Sequence, residues 1–497
     1  MRKILLIGIS TFALGAGAMA YADQQARTPK AETYKMLELF GDVLATVEDQ
    51  YVVPVDDKKL IQSAIDGMLT SLDPHSGYLD AENFDEMRDQ TRGEYGGLGL
   101  VVQAEDGAVK VVSPMDDTPA GRAGIQAGDY ITAIDGQSVV GLPLDDAVKQ
   151  MRGAVGTAIT LTIAREKQDP FSVKLTREVI NVKSVTSKAE GDYGYIRISG
   201  FDEKTGAETR TAIRDLKTKI PNMKGMVLDL RNNPGGLVDQ AVEVASAFLD
   251  GGEVVSQRGR DARDIERYNA RPGGDMLGGL PMVVLINNGS ASASEIVAGA
   301  LRDRKRAEVI GLTSFGKGSV QTVIPLRGGV DGALKLTTAR YYTPSGQSIQ
   351  KTGIQPDLEV ANSKEEAQRV ADAALQFSEA SFHNALDADE GKTRRPAHAP
   401  TEIPPDGYDS KANDFQLARA LDVLRTGSVE AAVRLKPVKT YALASPPFTV
   451  GKAASATPAA TTNAGAASDA KPTSPSDAAP AEEIAPSKAP KAPATKR

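Results

Sequence analysis

The chain contains no cysteine and only three histidines among its 497 residues. Without cysteine the protein has no disulfide bond, no thiolate metal site and no cysteine nucleophile. The histidines are His75, His383 and His398, and the last two lie in or near poorly patterned sequence. This scarcity disfavours histidine-based catalysis and His-rich metal sites.

An excess of positive charge is also missing. Lysine and arginine together number 58 against 65 acidic residues, which gives a formal net charge of −7. Because no global positive field is available to hold a polyanion, we expect no general nucleic-acid binding. The length corresponds to about three domains at roughly 150 residues each.

A long apolar run occurs only at the N-terminus. Arg2 and Lys3 precede the apolar run Ile4–Leu14 and the small residues Gly15–Ala22, a pattern that predicts a signal peptide over residues 1–22. An uncleaved N-terminal anchor is the alternative. In both cases we expect an exported protein, periplasmic or associated with the cell envelope. No other stretch approaches the roughly 18 uncharged apolar residues of a membrane span.

The spacing of apolar residues divides the rest of the chain into regions. Helical spacing gives way to short β-branched runs punctuated by glycine, and then to alternating strand-like and helical stretches. The predicted regions are an N-terminal helical region (30–93), a compact module of strands with one or two helices (94–177), an α/β layer domain (178–380), a helical and Pro-containing region (381–450) and a disordered tail (451–497). The tail contains 16 Ala and 7 Pro, which leaves too little apolar area to offset the entropy of ordering it.

Strands and helices alternate in the α/β region. We predict strands over 194–198, 225–230, 282–286, 308–311 and 334–339, and helices over 204–218, 238–249 and 292–302. Further helices are predicted over 363–379, 414–425 and 429–435.

The segment Asn287–Glu295 joins a predicted buried strand to a predicted helix. Its small residues allow another chain to approach closely, and the helix N-terminus offers unpaired N–H groups and a positive dipole end. The segment is therefore a candidate site for binding an oxyanion. The alternative is that its serines and Glu295 only cap the helix.

A second glycine-rich segment, Gly311–Ser319, nearly matches the phosphate-binding loop pattern of NTPases. Gly318 stands where that loop needs a hydroxyl for magnesium, and a strand pattern over 320–324 follows where the loop needs a helix. An NTPase is therefore disfavoured. Lys317 is instead a candidate general base if an apolar pocket lowers its pKa, with a solvated loop lysine as the alternative.

Together these segments resemble the C-terminal processing peptidases, which are Ser-Lys enzymes with an inserted PDZ domain. The resemblance covers about residues 35 to 380 and is carried mainly by SASEI at 292–296 and TSFGKGSVQ at 313–321. Ser292 and Lys317 lie 25 positions apart, which is the spacing of nucleophile and base in that family. This spacing selects Ser292 over Ser290 and Ser294.

The resemblance also implies the remaining parts of the site. Gln321 corresponds to the residue that orients the lysine, and the backbone N–H of Ala293 corresponds to one oxyanion donor. The second donor corresponds to Gly235 or Gly236, between which the sequence does not choose. The family fold implies an α/β, crotonase-like layered core with an N-terminal helical unit. Nothing in these motifs requires a metal or a cofactor.

Gly97, Leu98, Gly99 and Leu100 resemble the carboxylate-binding loop of PDZ domains, which are small β-barrels or sandwiches with helices. Successive N–H groups of such a loop can bind a terminal carboxylate while the strand after it, Val101–Gln103, pairs with the peptide. An isolated glycine-rich turn would instead be an ordinary hairpin. PDZ-like sequence at 118–125, 128–131 and 134–136 favours the first interpretation.

We therefore expect an exported serine endopeptidase that recognises C-terminal tails and cleaves them with Ser292 and Lys317. We expect protein substrates with flexible apolar C-termini and a homo-oligomer. Some members of the family are dimers or larger rings and some need an adaptor or activator protein, but the motifs transfer neither trait to this chain. A non-catalytic PDZ scaffold on a decayed protease core is the second hypothesis. The presence of Ser292, Lys317 and Gln321 argues against it.

Overall fold

The computed structural model describes residues 31–105, 107–261, 263–372, 378–388 and 398–435. The predicted signal peptide and the predicted tail both lie outside these residues. Within the described ranges, no helix is both long enough and apolar enough to cross a bilayer.

Eleven helices and nineteen strands are present in the described part of the chain. The helices are α1 (31–50), α2 (Asp57–Thr70), α3 (Ala81–Arg92), α4 (Pro119–Arg122), α5 (Leu144–Met151), α6 (Thr205–Lys219), α7 (Val238–Ser246), α8 (Ala293–Asp303), α9 (Lys364–Ala371), α10 (Phe415–Thr426) and α11 (Val429–Arg434). The strands are β1 (Gly77–Leu79), β2 (Glu94–Gly97), β3 (Leu100–Glu105), β4 (Ala108–Pro114), β5 (Tyr130–Ile134), β6 (Gln137–Ser138), β7 (Ala158–Ala164), β8 (Phe171–Thr176), β9 (Glu178–Asn181), β10 (Val185–Glu190), β11 (Tyr193–Ile198), β12 (Gly225–Asp229), β13 (Gly252–Arg258), β14 (Ile265–Ala270), β15 (Met282–Ile286), β16 (Glu308–Gly311), β17 (Ser319–Pro325), β18 (Ala333–Tyr342) and β19 (Leu358–Glu359).

Local capping fixes the helices near the N-terminus. The Asp56 side chain accepts a hydrogen bond from the Lys59 N–H at the start of α2, and Asp80 does the same for Asn83 at the start of α3. Helix α3 ends at Arg92 and is followed by Gly93, whose φ of 69° suits a residue without a Cβ. Helix α1 differs from both because most of its large apolar side chains are exposed.

Strands β3 to β8 form a small antiparallel sheet in the order β3-β4-β5-β7-β8, with β6 paired to β5. Strand β7 shows the alternation of a half-buried strand, with Ile159, Leu161 and Ile163 facing the core of this module. Helix α5 closes the core through Ala147 and Met151. Strands β2 and β9 pair separately as a two-stranded ribbon between this module and the α/β region.

The α/β region is built on a six-stranded sheet in the order β10-β11-β12-β15-β16-β19. All pairs from β11 onward are parallel, and β12 and β15 are buried at every position, as expected for central strands covered on both faces. Met226 and Leu228 pack into the cluster that includes α6, α7 and α8, whereas Val227 packs with α10. The sheet is therefore the middle layer between two helical layers.

A second sheet has the order β1-β18-β13-β14, with β17 also paired to β18. Strand β17 begins at Ser319, just after Lys317 and Gly318, and runs antiparallel to β18. The position of Lys317 is therefore set by this second sheet, and that of Ser292 by the first.

The structure confirms all five strands and all three helices predicted for the α/β region, as well as helices α10 and α11. The helix predicted over 363–379 is wrong in its extent because α9 ends at Ala371. Residues 379–381 form a separate 3₁₀ turn in which the Glu379 N–H donates to Phe315 O. Strands β13 and β14 were not predicted, since their charged residues obscure the alternation.

Candidate active site

Two loops meet at the carboxyl ends of the neighbouring parallel strands β12 and β15. The Asn232 N–H donates to Asn287 Oδ1 at 2.9 Å, and the Ala291 N–H donates to Asn233 O at 3.0 Å. These bonds fix the loop after β12 against the loop that leads into α8. Ligands of open α/β sheets bind at this edge.

Ser292 immediately precedes α8 and has a strained backbone, with φ of 53° and ψ of −113°. The neighbouring hydroxyls are used structurally: Ser290 Oγ donates to Leu230 O at 2.8 Å, and Ser294 Oγ donates to Asn233 O at 2.9 Å. Of the three serines, Ser292 lines the large cavity. The structure therefore presents Ser292 to a ligand and uses Ser290 and Ser294 to hold the loop.

A buried carboxylate, that of Glu295, connects Ser292 to Lys317. Its Oε2 accepts hydrogen bonds from the Ser292 N–H at 2.8 Å and from the Lys317 N–H at 2.9 Å. Its Oε1 accepts from Ser314 Oγ at 2.5 Å and from the Gly316 N–H at 2.7 Å. The Glu295 side chain thus sets the distance between the segment that carries Ser292 and the segment that carries Lys317.

Burial raises the pKa of Glu295 to about 7, although its four hydrogen bonds oppose the shift. The capping predicted for Glu295 is also present, since its carboxylate accepts from the Ser292 N–H at the start of α8.

Lys317 is half-buried in the same cavity as Ser292. Glycines flank it because a Cβ on Gly318 would lie 2.4 Å from the Gln350 nitrogen. Burial, together with the charge of Lys335, lowers the pKa of Lys317 to about 8. At pH 8 about half of the molecules therefore carry a neutral amine that can accept a proton.

No hydrogen bond joins Ser292 Oγ to Lys317 Nζ in the described part of the chain. Such bonds are often long in structures without substrate and shorten in the complex. What the geometry shows is that both groups line one cavity of about 1300 Å³.

Gln321 lies on the cavity face of β17. Its amide nitrogen donates to Ser319 Oγ at 3.0 Å and to Thr337 Oγ1 at 3.1 Å. Thr337 Oγ1 in turn donates to Asp73 Oδ1 at 3.0 Å. This chain fixes the amide so that its carbonyl oxygen Oε1 keeps its accepting capacity for another donor.

The glycines of the loop after β12 differ in what their N–H groups contact. The Gly235 N–H donates to Asn233 Oδ1 at 2.9 Å, so it is already engaged. Neither the Gly236 N–H nor the Ala293 N–H has a hydrogen-bond acceptor among the described residues. Gly235 packs so closely against the nucleophile loop that a Cβ on it would lie 2.8 Å from the Ser292 Cβ. The geometry therefore favours Gly236 over Gly235 as the second oxyanion donor.

A buried ion cluster anchors the same loop to helix α10. Arg231 donates to both Asp229 carboxylate oxygens and to Asp414 Oδ2, the last at 2.6 Å. The same guanidinium donates to Gln416 Oε1 at 2.9 Å. Sequence reasoning missed this cluster because Asp414 lies 183 positions from Arg231.

The carboxylate-binding loop predicted in the small module lies between β2 and β3. Strand β3 is an edge strand that pairs only with β4 among the described strands. The N–H groups of Leu98 and Gly99 have no acceptor in the described ranges, while their carbonyls accept from the Ala120 and Met115 N–H groups. The module thus offers free donors next to a free strand edge, which is what a peptide C-terminus needs.

Comparison with protein families matches three parts of the chain. Residues 192–360 match peptidase family S41, residues 110–165 match the PDZ domain, and residues 12–83 match the N-terminal domain of the activating protease CtpB. The carboxy-terminal-processing protease of Bartonella bacilliformis is 49% identical over 446 residues, which cover 89% of this chain and 100% of that protein. The chain belongs to the carboxy-terminal-processing protease family. It is a serine-type peptidase with a PDZ domain.

Other relatives of this peptidase cover less of the chain. A probable CtpA-like serine protease of Staphylococcus epidermidis is 40% identical over 328 residues, which cover 65% of each protein. Among solved structures, a photosystem II D1 C-terminal processing protease is 30% identical, covers 68% of this chain and 98% of its own, and has a TM-score of 0.39.

In this peptidase the structure brings Ser292, Ala293, Gly235, Gly236 and Lys317 together around the loops that border the cavity. Gln321 lines the same cavity from strand β17. The predicted PDZ loop, Gly97 to Leu100, lies in the separate small module. Sequence reasoning assigned Glu295 only to capping and missed Asp73 and Lys335 entirely. The position of Glu295, three residues after Ser292, was the sequence signal from which its role could have been found.

Proposed function

We propose that this peptidase is an endopeptidase that binds the C-terminal tail of a protein substrate in its PDZ domain and cleaves it with a Ser292–Lys317 dyad. The observation that supports this most is the shared cavity. It contains a strained serine and a lysine whose pKa is lowered to about 8.

In the proposed reaction, Ser292 Oγ attacks the scissile carbonyl carbon while Lys317 Nζ accepts the hydroxyl proton. The negative charge that develops on the carbonyl oxygen is stabilised by the N–H groups of Ala293 and Gly236. The C–N bond then breaks, and the lysine ammonium gives its proton to the leaving amine. Water attacks the acyl-enzyme with Lys317 again accepting the proton, which releases the acid and restores Ser292. Gln321 Oε1 accepts a hydrogen bond from the ammonium and orients it.

The dyad is tested with Ser292→Ala, assayed separately for peptide cleavage and for tail binding. We expect cleavage to disappear and tail binding to persist, while Ser187→Ala, an exposed control in β10, retains both. Cleavage by Ser292→Ala at more than background would contradict the assignment and leave the chemistry to another residue.

We further propose that the PDZ domain reads the free carboxylate of the substrate. The N–H groups of Leu98 and Gly99 would bind the carboxylate, and β3 would pair with the tail as an added strand. Residues of the PDZ domain and of the catalytic region line the same cavity, among them Arg152 and Lys317.

The test of this step is a pair of substrates that differ only at the C-terminus. A substrate ending in an apolar residue with a free acid should be cleaved faster than its amidated form, because the amide places no carboxylate on those donors. A coupling of roughly 1–3 kcal/mol between tail binding and cleavage would give about 5–150-fold faster cleavage. Equal rates for the two forms would contradict carboxylate recognition.

Homo-oligomerisation is proposed from helix α1. Met36, Phe40 and Val43 are 56%, 44% and 52% exposed and lie at helical spacing along one face. Apolar stripes of this kind mark interaction surfaces, and a second copy would cover the stripe by two-fold symmetry. Sedimentation of the purified protein should show a dimer or larger assembly that Phe40→Asp reduces to a monomer. A monomeric wild-type protein would leave the stripe to an adaptor or activator.

Export and the crotonase-like layering of the core are proposals as well. Export rests on the charged, apolar and small residues of the segment 1–22. Fractionation and N-terminal sequencing would show a protein outside the cytoplasm, either cleaved or tethered to the envelope. The layering is supported by the helices on both faces of the parallel sheet.

A further inference from the structure

A second lysine lies in the catalytic cavity. Lys335 is on β18, directly opposite Val323 of β17 and Gly77 of β1. Directly paired residues point to the same face of a sheet, and Lys335 and Val323 both line the cavity that contains Ser292 and Lys317. The register of the second sheet therefore places Lys335 in the cavity that also contains Lys317.

Lys335 has no carboxylate partner within the part of the chain that the structure describes. Among the described residues it has no ion pair and no side-chain hydrogen bond, and Asp73 is the acidic group whose charge acts on it. The Asp73 carboxylate is already occupied, since it accepts from the His75 and Ser76 N–H groups, from Ser76 Oγ and from Thr337 Oγ1.

The other carboxylates around Lys317 are equally engaged. Glu295 accepts four hydrogen bonds from its own loops. Glu379 lies 2.7 Å from His75 Nε2 and accepts from Gln350 Nε2 at 2.9 Å. Two amines therefore line one partly desolvated cavity, and the three carboxylates whose charges act on Lys317 are bound to other donors. Under these conditions the two ammonium ions repel each other, and protonating both is unfavourable.

We propose that Lys335 is a positioning residue of this site, whose positive charge keeps Lys317 in the neutral form that accepts the Ser292 proton. The proposal rests on the proposed dyad. A neighbouring cation is one of the established ways in which enzymes activate a lysine. Burial lowers the pKa of Lys335 as well, and Asp73 opposes that shift. Asp73 is the one acidic group acting on Lys335 and the weakest of three acting on Lys317, so its charge favours the proton on Lys335.

The test compares the pH dependence of kcat/KM for wild type, Lys335→Met and Lys335→Arg on one peptide substrate. Methionine keeps an unbranched chain, one atom shorter than lysine, and removes the charge. For Lys335→Met we expect the rise of kcat/KM on the acid side of the pH profile to move to higher pH by about one unit. The ratio kcat/KM should then fall about 10-fold at pH 7 and approach the wild-type value near pH 10. Lys335→Arg keeps a positive charge and should leave the acid side of the pH profile at its wild-type position. Lys174→Met, at an exposed position of β8, is the matched control and should behave as wild type.

A direct titration separates failure of this inference from failure of the proposed dyad. In the Ser292→Ala background, competitive acetylation followed by mass spectrometry measures the reactivity of Lys317 at each pH, without any need for cleavage. Adding Lys335→Met should raise the midpoint for Lys317 by the same amount as in the kinetic experiment. An unmoved midpoint, or an equal loss of kcat/KM at every pH with the acid side of the profile in place, would overturn the proposal. Absence of cleavage by the wild type would count against the dyad alone.

Discussion

Replacing Glu295 by glutamine should separate the catalytic use of this side chain from its effect on stability. The carboxylate oxygen Oε2 accepts from the N–H groups of both Ser292 and Lys317. A glutamine offers one accepting oxygen and an NH₂ group that only donates, so at least one of the three backbone N–H groups bound by Glu295 faces another donor. The segments that carry Ser292 and Lys317 must then move apart. Because misplacement of reacting groups by about 1 Å costs on the order of 10²-fold, we expect kcat to fall at least that much.

The same substitution should also change how the stability of the fold depends on pH. Burial raises the pKa of Glu295 from 4.5 to about 7, and each pKa unit corresponds to about 1.4 kcal/mol. A carboxyl whose pKa is raised in the folded state binds more protons there than in the unfolded chain between those two values. Its contribution to stability therefore falls as pH rises from 4.5 to 7. Glutamine carries no charge and has no such loss.

Urea unfolding at pH 5 and pH 8 measures this difference. Relative to wild type, Glu295→Gln should gain up to about 3 kcal/mol of unfolding free energy on going from pH 5 to pH 8, while its kcat at pH 8 stays at least 10²-fold lower. A variant that keeps more than about a tenth of the wild-type kcat would refute the positioning argument. A relative stability that falls with pH would show that the carboxylate is not destabilised by burial.

Three further predictions concern the groups around Glu295. Lys317→Ala should keep less than about a hundredth of the wild-type kcat, because general-base assistance is worth roughly 10²–10⁴-fold, and in the Ser292→Ala background it should add no further loss. A retained rate above that level would show that Lys317 is not the base. Gly236→Ala would place a Cβ 2.2 Å from Phe201 O, so the loop must shift and kcat should fall by about 10²–10³-fold, as for loss of an oxyanion donor; Gly136→Ala, at a left-handed position with open space, should retain kcat. Asp414→Asn leaves the buried Arg231 with one fewer carboxylate and should lower the unfolding free energy by roughly 1–3 kcal/mol in urea titrations, and an unchanged value would show that the contact to α10 does not hold the oxyanion loop.

The sequence predicted those parts of the fold in which local pattern and final structure agree. The strands around residues 225–230 and 282–286 are buried on both faces, and their continuous apolar runs identify them directly. The helix beginning near Ser292 was equally clear from its small residues and apolar spacing. Strand β14 was missed because Glu266, Arg267 and Asn269 make it polar, and it is recognisable only through its pairing with β13.

The parts of the site that the sequence did not provide depend on long-range contacts. The choice of Gly236 over Gly235 follows from the Asn233 side chain occupying one N–H group, which no motif encodes. Lys335 lies in the cavity because of the register in which β18 pairs with β17 and with β1. Asp73 accepts a hydrogen bond from the Thr337 hydroxyl, which is more than 200 positions away in the sequence. Such contacts join distant segments of the chain, so spacing along the sequence carries no trace of them.

The central claim is that Ser292 is the nucleophile, and covalent trapping tests it most directly. An activated ester of a substrate peptide is mixed with the protein, quenched in acid within one turnover and digested, and the acylated residue is located by mass spectrometry. The acyl group should be found on Ser292 and be absent from the Ser292→Ala variant. Acylation of Ser290, Ser294 or any other residue in place of Ser292, with cleavage activity intact, would contradict the account.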